Sequence, residues 1–216
     1  MHKKFTFGIA INIQDMATTE KHPLEPFLPQ NARILMLGSF PPSQARWSME
    51  FFYPNWQNDM WRIFGLLFFD DRHHFEQKDE KRFDKEAVVE FCTSEGIAIY
   101  DTACDVVRLK DNAADKFLEI TTPTDIAALL EKLPHCTAIV TTGQKATDTI
   151  VGRYGCDTPP MGGRSTLHIA GREYNLWRMP STSRAYPLAL EKKAAYYMKM
   201  LQGEGFNTTK DPIQQP

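Results

Sequence analysis

The chain has little that would commit it to a metal, a disulfide framework or a membrane. Its four cysteines, Cys92, Cys104, Cys136 and Cys156, lie far apart and form no Cys-x-x-Cys pair. Zinc and iron–sulfur sites are built from closely spaced ligands, so no metal and no cofactor is expected. Disulfide frameworks belong to shorter secreted chains. The cysteines therefore read as reduced packing residues of a cytoplasmic protein. No apolar run approaches the ~20 residues of a membrane-spanning helix. Phe5–Ile13 is apolar behind a basic start, but it is short, contains Asn12 and lacks a small-residue cleavage site, which argues against a secretory signal. There is no repeat or low-complexity segment, and no excess of either charge: the net charge of -2 gives no overall attraction to nucleic acid.

What is present is ordinary in bulk and uneven in detail. With 216 residues, 42% hydrophobic and 24% charged, the chain fits one soluble domain with a sizeable core. Residues 1–24 read as an N-terminal extension, poorly ordered in part, residues 25–203 as the domain, and residues 204–216 as a frayed tail. Residues 161–200 carry seven basic side chains (Arg164, Arg172, Arg178, Arg184, Lys192, Lys193, Lys199) against Glu173 and Glu191. If they share a face they would attract a phosphate backbone; solvated surface charges are the other reading. The mixed-charge runs Asp70–Glu86 and Arg108–Glu119 read as solvated helices and loops.

Strand and helix signals alternate along the chain. Ala32–Leu37, Ile97–Tyr100 and Ala138–Thr142 are short apolar runs that read as buried strands. Helices are expected over Asp59–Phe69, Lys81–Glu95 (closed by Gly96), Thr124–Leu133 (stopped by Pro134), Gln144–Tyr154 and Leu188–Leu201. Ser165–Ile169 and Tyr174–Met179 read as a hairpin or paired strands. This order predicts an α/β fold, a mostly parallel central sheet with helices on both faces. Ligands of such sheets bind outside the carboxyl ends of the strands. The candidate loops are then Gly38–Asn58, Thr142–Lys145 and Pro180–Tyr186.

The first loop holds the densest chemistry. Residues 51–61, Phe-Phe-Tyr-Pro-Asn-Trp-Gln-Asn-Asp-Met-Trp, interleave five aromatic rings with two asparagines and a glutamine. An aromatic wall with amide donors and acceptors suits a planar, hydrogen-bonding ring such as a nucleobase, which an enzyme must take out of the stack to reach. An aromatic core segment with polar turn residues fits the same string.

Three motifs carry a family resemblance. Leu-Gly-Ser-Phe-Pro-Pro at 37–42, the Tyr53, Asn58 and Trp61 pattern, and Met-Pro-Ser-Thr-Ser at 179–183 resemble the uracil-DNA glycosylase superfamily. The likeness is nearest to its hypoxanthine-DNA glycosylase branch, and the 179–185 segment is also similar to the hydroxyl-rich loop of thymine-DNA glycosylases. The resemblance covers roughly residues 25 to 201 and implies that superfamily's three-layer sandwich. It also implies a monomeric enzyme that acts on DNA without metal, and the absence of any motif that singles out a Lys as a Schiff-base nucleophile reads as monofunctional.

Asn58 matches the family's catalytic asparagine. An amide has no useful titration but can orient a water; helix capping ahead of Asp59 is a compatible structural role. Ser39, Phe40, Phe52, Tyr53 and Asn55 are the base-binding candidates. Phe40 leads among the stacking residues, because a loop residue beside prolines is rarely core; core packing is the competing role for all three rings. Ser181, Thr182 and Ser183 would hold phosphates flanking the extruded nucleotide, or form an ST-turn capping the last helix. Gly143 and Lys145, at a helix N-terminus, form a second phosphate candidate or a plain strand-to-helix turn. Arg184 or Tyr186 would fill the gap left by the base. The chain departs from the family pattern in several places. Phe40 stands where many members carry a catalytic Asp or Asn, and Asn55, Trp56 and Gln57 replace the branch's His, Pro and Arg. Three classes of function stay open: a glycosylase excising uracil, hypoxanthine or another deaminated base, a free-nucleoside or nucleotide hydrolase, and a non-catalytic damage-binding module.

Overall fold

A computed structural model describes residues 19–108 and 118–209. In chain order these form β1 (Thr19–Lys21), β2 (Ile34–Gly38), α1 (Met60–Phe69), β3 (Glu76–Gln77), β4 (Arg82–Phe83), α2 (Lys85–Glu95), β5 (Ile97–Asp101) and β6 (Ala103–Arg108). There follow β7 (Leu118–Pro123), α3 (Ile126–Glu131), β8 (Ala138–Thr142), α4 (Gln144–Tyr154), β9 (Arg164–Ile169), β10 (Arg172–Met179) and α5 (Leu190–Gly203).

The central sheet runs β5-β2-β8-β10-β9. The first four strands are mutually parallel, and β9 pairs antiparallel with β10 at the edge. β2, β5 and β8 are buried along their whole length, which is why they read as unbroken apolar runs rather than alternating ones. From β2 the chain passes through α1 and α2 to β5 on one side, then returns through α3 to β8 on the other. Right-handed crossovers in opposite directions put the two sets of helices on opposite faces. The strand order reverses between β2 and β8, and that reversal opens a crevice at their carboxyl ends.

Several boundaries differ from the sequence reading. α2 starts at Lys85 rather than Lys81, because Arg82–Phe83 pair with Glu76–Gln77 and the Asp84 carboxylate caps the helix by accepting from Ala87 N–H at 3.0 Å. The run 70–86 is not simply solvated: Phe75 and Phe83 are core residues and Glu76 forms a buried pair with Arg62. Of the run 108–119, residues 109–117 lie outside the described residues; Arg108 ends β6 and Leu118 starts β7. β1, β6 and β7 form a second, antiparallel sheet. The ordered fold therefore begins by Thr19, ahead of the expected start at 25; residues 1–18 lie outside the described residues.

The tail is likewise not frayed over 204–209. Phe206 is 3% exposed, Glu204 Oε1 accepts from Trp177 Nε1–H at 2.7 Å and Asn175 Nδ2–H at 2.9 Å, and Thr209 Oγ1 donates to Leu67 O at 2.8 Å. Residues 210–216 lie outside the described residues.

Candidate active site

A cavity of about 890 Å³ sits at the carboxyl ends of β2, β5 and β8. Every candidate residue named from the sequence lines it except Arg184. The strand-end loops thus converge as the α/β rule requires.

The floor is made by glycine and carboxylate. A Cβ on Gly38 would lie 2.3 Å from Asp101 Oδ1, so only glycine at the end of β2 lets the Asp101 side chain lie across it from the end of β5. Asp101 is 7% exposed, and its Oδ2 is 2.9 Å from His22 Nε2. Nδ1 of the same ring is 2.8 Å from Leu24 O. Asp101 is a buried cavity carboxylate that the sequence reading leaves out. The signal was available: Tyr-Asp-Thr closes the second apolar strand, where the strand-end rule points to a ligand-facing residue. His22 lies 79 residues away in sequence and gave no such signal.

The aromatic wall comes from the first loop. Phe52 is 3% exposed and packs edge-on against Phe51 and Tyr100. Tyr53 takes a left-handed backbone, φ 50°, which brings its hydroxyl 3.0 Å from Thr142 Oγ1. Burial, then the charge of Asp101, pushes its phenol pKa up, so Tyr53 stays a neutral hydrogen-bonding group. Phe40 lines the cavity but is also core, contrary to the expectation for a loop residue beside prolines. It is 8% exposed in a satellite cluster with Ala103, Val106 and Leu118. The β1-β6-β7 sheet, unforeseen from sequence, supplies that apolar surface.

Asn58 is half-buried on the wall. Its Oδ1 accepts from Met60 N–H at 2.9 Å, an Asx turn that leads into α1, whose N-cap is Asp59 rather than Asn58. Its carboxamide N–H groups have no hydrogen-bond partner among the described residues. Asn55 Oδ1 accepts from Gln57 N–H at 2.8 Å, an Asx turn that shapes the approach to Asn58. Ser39, buried at 8% exposure, also lines the cavity, next to Phe40 after β2.

The hydroxyl loop faces Asn58 across an antiparallel bridge between Asn58 and Ser183. Ser181 Oγ accepts from Ser183 N–H at 3.3 Å and Ser183 Oγ from Ala185 N–H at 3.2 Å. These are ST-turns within the loop; α5 is not capped by them. Gly143, at φ 105°, turns β8 into α4, and a Cβ there would touch Ser181 Cβ at 3.5 Å. Its N–H donates to Met179 O at 3.0 Å, which ties this turn to the end of β10. Lys145 is half-buried in the first turn of α4 and lines the cavity.

Arg184 is turned away. Its Nε donates to Asp59 Oδ1 at 3.0 Å, a pair that joins residues 125 apart in sequence. Tyr186, 36% exposed, occupies the rim instead. The basic stretch 161–200 does not share one face toward the cavity. Lys193 is fully buried, Arg172 lies over Tyr174, Arg164 lies over Trp177, and only Arg178 of the seven lines the cavity.

No protein-family model and no curated protein matches the sequence. Among solved structures, the chain is similar to a Methanosarcina acetivorans protein provisionally named a uracil DNA glycosylase, determined in solution by NMR. The two are 19% identical with a TM-score of 0.53, over 86% of this chain and 99% of that one. They share a fold. Among the described residues no helix is long and apolar enough to cross a membrane, and no cluster of His, Cys, Asp and Glu could hold a metal ion.

Proposed function

We propose that the protein is a monofunctional DNA glycosylase that hydrolyses the N-glycosidic bond of a deaminated base flipped out of DNA, hypoxanthine or uracil, and leaves an abasic site. The observation that carries this reading is the meeting of Asn58 and the buried Asp101 carboxylate in one aromatic-walled cavity at the strand-order reversal. The fold shared with the archaeal protein supports it.

Deamination changes a base edge in one decisive way. The ring nitrogen that is a bare acceptor in adenine or cytosine becomes an N–H donor beside a carbonyl. A carboxylate accepts hydrogen bonds and offers none, so Asp101 opposite that nitrogen favours the deaminated edge and repels the normal one. Phe40, Phe52 and Tyr53 supply apolar surface for the ring, and the Ser39 hydroxyl can donate to a base carbonyl. Asn58 would hold a water against the anomeric carbon. The water oxygen bonds to that carbon as the glycosidic pair departs with the base, the proton the water gives up balances the one the departing base takes, and an oxocarbenium-like transition state asks little activation of the nucleophile. Ser181, Thr182, Ser183, Gly143 and Lys145 border the cavity where the flanking phosphates would lie, and these contacts position without reading sequence. Tyr186 is the better placed wedge, since Arg184 is held by Asp59.

The test is base release from labelled oligonucleotides carrying uracil, hypoxanthine, xanthine or a thymine mismatch, single- and double-stranded. Wild type should release one deaminated base, and Asn58→Ala should be slower by about 10²-fold or more. Asp101→Asn, which can donate as well as accept, should lose discrimination against the undeaminated parent. No release by folded wild type from any oligonucleotide would end the glycosylase reading in favour of a binding module or a free-nucleoside enzyme.

A further inference from the structure

Lys193, in the first turn of α5, is fully buried at 0% exposure. Burying an ammonium is costly unless its donors are used, and an apolar residue would fill the same space with no such cost. Its Nζ lies 3.0 Å from Asp59 Oδ2, 2.9 Å from Ser183 O and 3.5 Å from Thr182 O. All three acceptors belong to two adjacent, paired segments that border the cavity, 57–59 and 181–184. Those segments are also laced by backbone: Asp59 N–H donates to Thr182 O at 2.9 Å and Arg184 N–H to Gln57 O at 3.2 Å, on either side of the Asn58–Ser183 bridge. Asp59 completes the clamp with its other oxygen on Arg184 Nε at 3.0 Å.

We propose that Lys193 is a positioning residue. Through Asp59 and the carbonyls of Thr182 and Ser183 it locks the asparagine arm and the hydroxyl loop into one body, so that Asn58 and Ser181–Ser183 meet the extruded nucleotide at a fixed separation. Lys193 itself does not line the cavity and touches no reacting atom. This deepens the glycosylase reading and rests on it for its kinetic half alone.

The test is Lys193→Met, which keeps most of the apolar stem and removes the donors. At a temperature where the variant is folded, amide exchange at Asp59 and Arg184 should quicken by about tenfold or more while the β2 and β8 amides stay unchanged. Single-turnover base release at saturating enzyme should fall about ten- to a hundredfold. Exchange that stays the same at those two amides, or rises equally in the core, would overturn the proposal, as would full retention of the single-turnover rate. Should Lys193→Met not fold, Asp59→Asn removes the other end of the clamp at constant volume and is read in the same way. If wild type releases no base at all, the glycosylase reading fails, and the exchange measurement decides the clamp by itself.

Discussion

At the scale of single residues the cavity depends on what is missing at Gly38. A methyl group there would sit 2.3 Å from Asp101 Oδ1, so Gly38→Ala must displace the carboxylate or the strand end. Overpacking of this kind costs about 1–3 kcal/mol, to be read from the urea midpoint. Base release should fall further than that loss of stability explains, because the displaced group is the one proposed to read the base. A variant that is destabilised yet releases base at the wild-type rate would remove Asp101 from the site. Residues whose signal is local were legible in the sequence: the aromatic string 51–61 and the hydroxyl loop 181–183 both contribute to the cavity lining. Residues defined by pairing across the chain were not. Nothing near Arg184 announces Asp59, and nothing near Asp101 announces His22.

At the scale of elements, the buried parallel strands and long helices were visible because each is a continuous apolar run or a capped 3.6-residue pattern. β1, β6 and β7 were not, since strands of a small sheet with only partly buried faces carry a weak, charge-interrupted alternation. The start of α2 depends on a charged cap. The Asp84 carboxyl is held below the usual range chiefly by the Ala87 N–H, with help from the Gln77 amide. A depressed folded-state pKa means the cap contributes above the unfolded pKa of ~3.9 and loses its contribution as pH falls through the folded value. Asp84→Ala should therefore cost about 1 kcal/mol at pH 7, and the gap between variant and wild type should shrink in acid. A gap that is constant in pH would assign the cost to propensity rather than to the charged cap. At the other end of the chain, Phe206→Ala should cost about 3 kcal/mol in thermal or urea unfolding if the segment after α5 is core; a frayed tail would show no change.

At the scale of the whole molecule, the charge distribution sets how a glycosylase of the proposed kind would hold DNA. The net charge is -2 and the basic run 161–200 is largely turned inward or to other faces. Among the described residues the cations lining the cavity are Arg108, Lys145 and Arg178, and Arg108 already grips Glu20 through two hydrogen bonds of 2.9 and 3.0 Å. Binding should thus release few counterions. The slope of log K against log salt should be about -2 to -3 on duplex DNA, from two or three phosphates at roughly -0.9 each. On the proposed function, affinity would then come from the extruded nucleotide and from neutral donors in the hydroxyl loop, so an undamaged duplex should bind far more weakly than a lesion-bearing one of equal length. Fluorescence anisotropy over a salt series measures both quantities. A slope steeper than about -6, or equal binding of damaged and undamaged duplexes, would place the DNA on a basic surface other than this cavity and detach the pocket chemistry from the polymer it is proposed to act on.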